Sequence, residues 1–340
     1  MSIHEECGVF GIYSPEQTDV ASTTYYGLFA LQHRGQESCG IVVNNNCVFK
    51  THKEAGLVND VFTRDTLNKL GLGNMALGHV RYGSVTTRGD ENNLPLVVNY
   101  SQGSLAISYN GTLINADELR KELEEKGLIF HTKSDTEVIA YLITRERVNS
   151  ESIEEAISKA MEKLEGAYSF IVMSPRKLMA VRDKRGMKPL CYGKTSDGRF
   201  IVASESCALD SVGAKLEREV KPGEIIVIED NELHSVEAHC GEAPRALCIF
   251  EYIYFARPDS IIEKQSVHKA RVIAGECLAK AHPVEADVVI GVPDSGLDAA
   301  VGYAKESGIP YGIGFIKTNI LEEHLLHQDK KQEKIKLELN

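Results

Sequence analysis

The cysteine nearest the start of the chain, Cys7, opens the short apolar stretch CGVFGI at residues 7–12. A thiolate attacks carbonyl carbon readily, and a cysteine at a chain terminus also carries a base, because its α-amino group has an ordinary pKa of about 7.7–8.0. Residues 1–6 precede Cys7, so this chemistry requires cleavage between Glu6 and Cys7. The competing interpretation is a buried core thiol, the usual role of a lone cysteine before an apolar strand.

Further motifs with reactive or charged side chains follow Cys7 along the chain. They are LQHRGQES with Arg34 and Gly35, GHVRYGS with Arg81 and Ser84, SYNG with Asn110 and Gly111, and KSDTE with Asp135. Each also has an ordinary structural interpretation. Asn-Gly is a standard tight-turn pair, Asp135 and Glu137 fit helix N-capping, and Arg81 fits a surface ion pair. We interpret two tempting bases, His33 and His79, as structural.

The ordered set of motifs resembles the class II glutamine amidotransferases, whose nucleophile is N-terminal, over about residues 7–235. The resemblance implies that Cys7 attacks the side-chain amide of glutamine after an autocatalytic cleavage exposes it. It also implies an oxyanion hole formed by the side chain of Asn110 and the backbone N–H of Gly111. Such donors stabilise the charge that develops in the transition state.

The same resemblance implies a site for the charged groups of free glutamine. Arg81 is a fork-shaped donor and would bind the α-carboxylate. Asp135 would face the α-ammonium group as its counter-charge. Arg34, Gly35 and Ser84 resemble the loops that close over the substrate.

Strand and helix signals occur in blocks over the first 230 residues. Strands are predicted at 7–12, 76–82, 105–111, 167–173, 177–183, 199–205 and 224–230. NADE at 115–118 and SDTE at 134–137 predict capping boxes that open helices, and 151–165 has apolar residues at helical spacing. This order predicts layered sheets with helices outside. The resemblance implies the corresponding α+β fold, a four-layer αββα N-terminal-nucleophile hydrolase domain.

The pattern changes after about residue 245, and we place a domain boundary between about 235 and 250. A helix is predicted over His268 to Lys280, and ADVVIGVP at 286–293 is typical of a strand buried in a parallel sheet. LDAAVGYAKESG then predicts a helix and IPYGIGFIK a further strand. The result is a β-α-β unit, whose ligands bind beyond the carboxyl ends of the strands.

Motifs on both sides of this boundary resemble the amidophosphoribosyltransferase family, from about residue 7 to 317. They are RDKRGMKPL (182–190), SESCAL (204–209), EYIYFARPDS (251–260), SVHKAR (266–271), ADVVIGVPDSG (286–296) and SGIPYGIGFIK (307–317). The resemblance implies a step of de novo purine synthesis. Ammonia from glutamine displaces pyrophosphate from phosphoribosyl pyrophosphate, and 5-phosphoribosylamine forms. It also implies a homo-oligomer and an α/β phosphoribosyltransferase-type second domain.

The resemblance further implies a [4Fe–4S] cluster and Mg²⁺. In the iron–sulfur branch of the family, a cysteine at the position of Cys248 is one of four cluster ligands. The other three have no counterpart here, so this sequence cannot complete a four-cysteine set. The alternative interpretation of Cys248 is an ordinary buried thiol. Mg²⁺ accompanies the pyrophosphate in the family, and the acidic pair and Thr-rich phosphate loop of that site are not found in these 340 residues.

We expect four segments: a propeptide at 1–6, a glutamine amidotransferase domain at 7–240, a partial phosphoribosyltransferase domain at 241–319 and an aberrant polar tail at 320–340. The tail contains no glycine, proline or aromatic residue. One hypothesis is a frameshift near Lys317–Ile320 that produced a foreign tail. Sequencing the locus tests it, because a shifted frame without family-like sequence would refute it.

Composition narrows the possible partners and location. The net charge of -11 argues against general nucleic-acid binding, which needs a basic face. The sequence has no run of about 18 apolar residues, so no membrane span is predicted. MSIHEE has neither the basic nor the apolar region of a secretory signal, so we expect a cytoplasmic protein. The eight cysteines form no C-x-x-C pair, and no local zinc site is predicted.

Three functional hypotheses follow. The leading one is an amidophosphoribosyltransferase family member in which these residues retain the glutaminase half, with little transferase activity. The second is another class II amidotransferase, of the sugar-isomerising or asparagine-forming type. The third is an inactive truncated remnant or assembly module, whose incomplete second domain would expose unpaired strand edges.

Overall fold

A computed structural model describes residues 7–82 and 92–316 of the chain. It divides into two compact units, Met1–Val267 and His268–Asn340. The described part of the first unit contains a seven-stranded and a six-stranded sheet, and that of the second contains a small β-α-β arrangement. The first unit thus has the predicted α+β class, with both large sheets antiparallel.

The two large sheets are built from thirteen strands, and a short hairpin follows them. The seven-stranded sheet has the order β11-β9-β10-β1-β4-β2-β3, and the six-stranded sheet has the order β13-β12-β8-β7-β6-β5. The bounds are β1 Gly8–Thr18, β2 Ser38–Asn45, β3 Val48–Ala55, β4 Gly73–Arg81, β5 Leu96–Tyr100, β6 Gly103–Leu113, β7 Gly166–Met173, β8 Leu178–Arg182, β9 Cys191–Thr195, β10 Phe200–Ala203, β11 Ala214–Glu219, β12 Ile225–Glu229, β13 Glu232–Val236, β14 Ile261–Ile262 and β15 Gln265–Ser266.

The two sheets pack face to face, and helices cover their outer sides. Val9 and Met75 from one sheet share a buried apolar cluster with Ala106, Ile171 and Ile226 from the other. Separate clusters join the outer side of each sheet to its helices, which gives the four-layer αββα arrangement. The helices are α1 Val20–Ala30, α2 Val58–Val61, α3 Arg64–Leu70, α4 Ala116–Glu125, α5 Asp135–Arg147, α6 Ile153–Lys163 and α7 Ser206–Ser211.

All seven predicted strands are present, as β1, β4, β6, β7, β8, β10 and β12. Strands β2, β3, β5, β9, β11 and β13 were not predicted from the sequence pattern. Strand β3, VFKTHKEA, shows why: it lies at the edge of its sheet and is largely exposed, so its polar residues conceal the strand. Edge strands often carry such charged side chains.

The three predicted helices are confirmed, but one predicted cap is wrong. Helix α4 begins at Ala116, yet the Asn115 side chain makes no cap hydrogen bond. Its Nδ2 instead donates to the carbonyl of Lys163, 2.9 Å away, and its Oδ1 accepts from the N–H of Glu165 at 3.1 Å. Asn115 therefore ties the start of α4 to the end of α6. Ser134, in contrast, caps α5 by accepting from the Thr136 N–H. The predicted capping box is incomplete, because the Glu137 carboxylate accepts from the N–H groups of His131 and Thr132 instead.

The segment after residue 240 packs with the first unit as far as Val267. The N–H of Ala246 donates to the carbonyl of Arg185 at 2.9 Å, and the N–H of Cys248 donates to that of Met187 at 3.2 Å. The first compact unit therefore includes residues 241–267, although the sequence predicts that a second domain begins at 241. The difference arises because EYIYFARPDS, although it resembles the second domain's family, makes its hydrogen bonds with the first unit.

The second unit confirms the predicted β-α-β order. Strand β16 (Val289–Ile290) pairs in parallel with β17 (Tyr311–Gly312), and α9 (Gly296–Ser307) connects them. Helix α8 (Val267–Ala281) matches the predicted 268–280 helix. The expectation of a buried strand is wrong, however, because Val288, Ile290 and Val292 remain 48%, 41% and 64% exposed. A two-stranded sheet with one connecting helix leaves much of its surface uncovered.

Within the described ranges, none of the helices is both long and apolar enough to cross a membrane.

Candidate active site

Cys7 and Asn110 lie together between the two sheets of the first unit. Cys7, just before β1, is buried, and its backbone N–H donates to Asn110 Oδ1 at 3.2 Å. The two residues are 103 positions apart in sequence, so only the stacking of the sheets brings them into contact. Burial alone also fits the core-thiol interpretation, but the hydrogen bond places Cys7 beside the residue that the resemblance assigns to the oxyanion hole.

The Asn110 side chain has a donor to offer a substrate. Its Oδ1 is used by Cys7, and its Nδ2 is buried without a hydrogen-bond partner among the described residues. A buried amide donor without a partner is costly, and such groups cluster where a ligand completes them. This is the property expected of an oxyanion-hole donor.

Asn110 and Gly111 do not form the tight turn that is the alternative interpretation of this pair. Both lie inside β6, where Asn110 pairs with Ser169 and Gly111 pairs with Tyr168 of β7. A Cβ on Gly111 would lie 2.2 Å from the carbonyl oxygen of Ala167, and its φ is +156°. Glycine is therefore required here by the close approach of the neighbouring strand.

Arg81 ends β4 beside the turn that contains Gly35. Arg81 is buried, so the interpretation as a surface ion pair is wrong. Its carbonyl accepts from the N–H of Glu37 at 3.0 Å. A Cβ on Gly35 would lie 2.5 Å from the Arg81 backbone nitrogen and carbonyl carbon, so only glycine allows this approach. The two predicted residues, 46 positions apart, are thus brought together by their backbones.

The Arg34 guanidinium points into an ion-pair network within the first unit. Its Nε donates to Glu205 and its Nη2 to Glu251, and all three side chains are fully buried. The guanidinium is therefore held by protein carboxylates, while the adjacent backbone contacts Arg81. Neither Glu205 nor Glu251 was predicted from the sequence, although a glutamate at the start of the apolar run EYIYF was a detectable signal.

Asp135 is the first residue of α5, and its carboxylate reaches β6. Its Oδ2 accepts from the Leu113 N–H at 2.8 Å and from the Tyr109 hydroxyl at 3.5 Å. The helix-cap hydrogen bond itself comes from Ser134. Burial raises the pKa of Asp135 and outweighs the bond to Leu113 and the charge of Arg120, which lower it. A half-buried carboxylate here is a suitable counter-charge for an ammonium group.

The two histidines have structural partners. His33 Nε2 lies 2.7 Å from Glu205 Oε1, and His79 Nε2 lies 2.9 Å from the carbonyl oxygen of Tyr109. His79 is fully buried, and burial lowers its pKa to about 3. It therefore stays neutral near neutral pH, and both contacts support the structural interpretation.

The predictions for Ser84, the propeptide and Cys248 do not concern the contacts described above. Ser84 lies in residues 83–91, and the propeptide occupies residues 1–6, both outside the described residues. Cys248 is half-buried, rather than fully buried. Within residues 7–82 and 92–316, no group of three or more His, Cys, Asp or Glu side chains is placed to hold a metal. No step below depends on a metal.

The sequence and the fold of this chain are similar to those of known proteins. A protein-family model for the glutamine amidotransferase domain matches residues 83–211. The amidophosphoribosyltransferase of Methanocaldococcus jannaschii is 45% identical over 98% of this chain and 74% of its own length. This chain belongs to the amidophosphoribosyltransferase family. The Bacillus subtilis amidophosphoribosyltransferase is 46% identical over 93% of this chain and 65% of its own length.

Solved structures agree with this membership. The structure described as the allosteric regulatory enzyme of purine biosynthesis has a TM-score of 0.85 and 43% identity, and the match covers 94% of this chain and 70% of that one. The B. subtilis glutamine phosphoribosylpyrophosphate amidotransferase, complexed with ADP and GMP, has a TM-score of 0.84 at the same identity and coverage. The sugar-isomerising and asparagine-forming alternatives are therefore not supported.

The sequence similarity extends far along the chain. The Methanothermobacter thermautotrophicus amidophosphoribosyltransferase is 43% identical over 99% of this chain and 71% of its own length. Such coverage includes most of residues 320–340, so it does not single out that tail as foreign. The tail lies outside the described residues, and its origin by a frameshift stays a prediction.

Changing Asp135 to Asn should raise the KM for glutamine at least about tenfold, because a charge-assisted hydrogen bond contributes about 1.5–3 kcal/mol. In the unsubstituted protein, the carboxylate must be ionised to bind an ammonium group. Its pKa is raised above the ordinary 3.8, so kcat/KM should fall as pH decreases through that raised pKa.

Steady-state kinetics between pH 4 and 8 checks this prediction, and the Asn variant should lack that acid-side decrease. Asp65→Asn is the matched control, because Asp65 is an exposed residue in the first turn of α3. An unchanged KM in the Asp135 variant would remove Asp135 from the substrate site.

Proposed function

We propose that this chain hydrolyses glutamine to glutamate and ammonia, with Cys7 as nucleophile. The observation that carries the proposal is the bond from the Cys7 N–H to Asn110 Oδ1, beside an Asn110 Nδ2 without a partner in the described structure. Gly111, the buried Arg81 and the half-buried Asp135 supply the remaining groups that the family resemblance implies. Membership of the amidophosphoribosyltransferase family supports the same reaction.

In the proposed reaction, Cys7 Sγ transfers its proton to the Cys7 α-amino group and bonds to the side-chain carbonyl carbon of glutamine. The carbonyl oxygen becomes an oxyanion, which Asn110 Nδ2 and the Gly111 N–H stabilise. When this intermediate collapses, the C–N bond breaks, and the leaving nitrogen takes the proton and departs as ammonia. A γ-glutamyl thioester remains on Cys7.

Water then completes the cycle. The α-amino group accepts a proton from the water that attacks the thioester carbonyl. The C–S bond breaks, the sulfur recovers a proton, and glutamate leaves. Throughout, Arg81 would hold the α-carboxylate and Asp135 the α-ammonium, so the binding groups keep the amide carbon within reach of Sγ.

This mechanism requires a free amino group on Cys7. We expect the mature protein to lack residues 1–6 and to begin at Cys7. Intact-mass measurement of the purified chain checks this directly. A fully active preparation whose chains all begin at Met1 would rule out the α-amino group as the base.

The second reaction, transfer of ammonia to phosphoribosyl pyrophosphate, belongs to the whole proteins that this chain matches over 65–74% of their length. For these 340 residues, we propose the glutaminase reaction, because it is the reaction that the contact between Cys7 and Asn110 supports. The test measures ammonia and pyrophosphate from the same samples. Release of ammonia from glutamine supports the proposal, and its absence would contradict it; release of pyrophosphate in the presence of phosphoribosyl pyrophosphate would show the second reaction as well.

A further inference from the structure

A buried ion-pair network connects three distant parts of the first unit. Arg34 lies in a helical turn after α1, Glu205 follows β10, and Glu251 begins a π-helical turn at Glu251–Phe255. Arg34 Nε donates to Glu205, its Nη2 donates to Glu251, and its Nη1 lies 3.4 Å from Glu251 Oε1. The carboxylates are 171 and 217 positions from Arg34 in sequence, and all three side chains are fully buried.

Glu205 also fixes the segment that follows Glu251. Its Oε2 accepts from the Arg257 N–H at 2.9 Å and from the Ser260 hydroxyl at 2.6 Å. The ordinary effect of burial is to raise a carboxyl pKa. Here the charges of Arg34 and His33 outweigh it and hold the pKa of Glu205 well below its usual range. Glu205 is therefore ionised near neutral pH and binds residues 251–260 to the Arg34 turn.

The other end of this turn contacts Arg81. Gly35 follows Arg34 directly, and a Cβ on Gly35 would lie 2.5 Å from the Arg81 backbone. Two residues later, the Glu37 N–H donates to the Arg81 carbonyl at 3.0 Å. A shift of the Arg34 turn would thus move the backbone of Arg81. Protein interiors are closely packed and transmit such displacements.

We infer that Glu251 and Glu205 are positioning residues for glutamine binding, acting through the Arg34–Gly35 turn on Arg81. The inference rests on the proposed role of Arg81 as the carboxylate-binding group. It means that the glutaminase site is not complete at residue 240. Residues 251–260, which lie beyond the amidotransferase domain expected from sequence, set the affinity of the site for its substrate.

The test uses the full 340-residue chain with Glu251→Gln, which keeps the side-chain shape and removes the charge. We expect the KM for glutamine to rise about tenfold with little change in kcat, because misplacing a substrate-binding group by a fraction of an ångström weakens binding. Glu263→Gln is the matched control. Glu263 lies in the same region but pairs with Arg182 and Arg245, so its KM should stay unchanged.

A second measurement distinguishes an effect of Glu251 on glutamine binding from general destabilisation of the chain. It also distinguishes that effect from failure of the proposed reaction. Glutamine binding is measured by calorimetry in a Cys7→Ser background, where no turnover is needed. Glu251→Gln should raise the Kd by the same factor as the KM, and the milder Ser260→Ala should raise it about threefold. Ser260→Ala also serves if the Glu251 variant does not fold.

The outcomes separate clearly. Weaker glutamine binding in the Glu251 or Ser260 variant than in the Glu263 control, measured at a temperature at which all three variants are fully folded, supports the inference. Equal Kd values in the Ser260, Glu251 and Glu263 variants would overturn it. An unsubstituted chain that binds glutamine but does not hydrolyse it would contradict the proposed function alone.

Discussion

Replacing Cys7 with Ser should reduce glutamine hydrolysis by at least about 10³-fold, the size of effect expected when a covalent nucleophile is lost. The serine hydroxyl has a far higher pKa than a thiol and is intrinsically a much weaker nucleophile, so it attacks the amide more slowly with the same base. Because Cys7 is buried and bonded to Asn110 through its backbone, the substitution should leave the fold intact. Ammonia release from glutamine, measured with the melting temperature, checks both statements.

Cys277→Ser is the matched control for this substitution. Cys277 is an exposed thiol on α8, so its loss should change neither activity nor stability measurably. A Cys7→Ser protein that keeps more than about a tenth of the activity would show that another group carries the reaction, since loss of a covalent nucleophile costs far more than that.

Replacing Arg34 with Met should lower the free energy of unfolding by about 3–5 kcal/mol, the usual cost of removing one partner from a buried ion pair. The substitution leaves Glu205 and Glu251 buried without the guanidinium that both contact. Urea denaturation at neutral pH measures the change. Lys126→Met is the control, because Lys126 pairs with Glu122 on an exposed helix surface, where a pair contributes less than about 0.5 kcal/mol.

The decrease in the free energy of unfolding caused by Arg34→Met should also depend on pH. In the unsubstituted chain, the pKa of Glu205 lies below its ordinary value of 4.5. The contribution of ionised Glu205 to the free energy of unfolding is therefore fully present above about pH 4.5 and is lost as the pH falls from there through the lowered pKa. Without Arg34, the buried carboxylates favour protonation, which stabilises the variant at low pH. The two proteins should therefore differ less at pH 4 than at pH 7. An equal difference at both values would contradict the ion-pair account.

Much of the candidate site could be predicted from sequence because its residues lie in recognisable local patterns. The strands that contain Arg81 and Asn110, and the strand that follows Cys7, are apolar runs of the right length. Ser134 is a typical N-cap residue and indicates the helix that begins at Asp135. The ordered set of motifs indicated the site, since each motif alone also has a structural interpretation. Family membership then followed from motifs spread over most of the chain.

The network around Arg34 could not be predicted, because it depends on contacts between residues about 200 positions apart. Sequence pattern gives the type and length of an element but not which distant side chain lies opposite it. For the same reason, the sequence did not show that residues 241–267 pack with the first compact unit. The cap predicted at Asn115 failed in the same way, because a tertiary partner, the end of α6, competes for that side chain.

One measurement tests the central claim, that Cys7 is the nucleophile of a glutamine-splitting site, most directly. The purified chain is treated with an electrophilic glutamine analogue, digested and mapped by mass spectrometry while the remaining activity is followed. We predict one label per active chain, on a peptide that begins at Cys7, with activity lost in proportion to labelling. Labelling of another residue with loss of activity, or full activity after Cys7 is labelled, would contradict the claim.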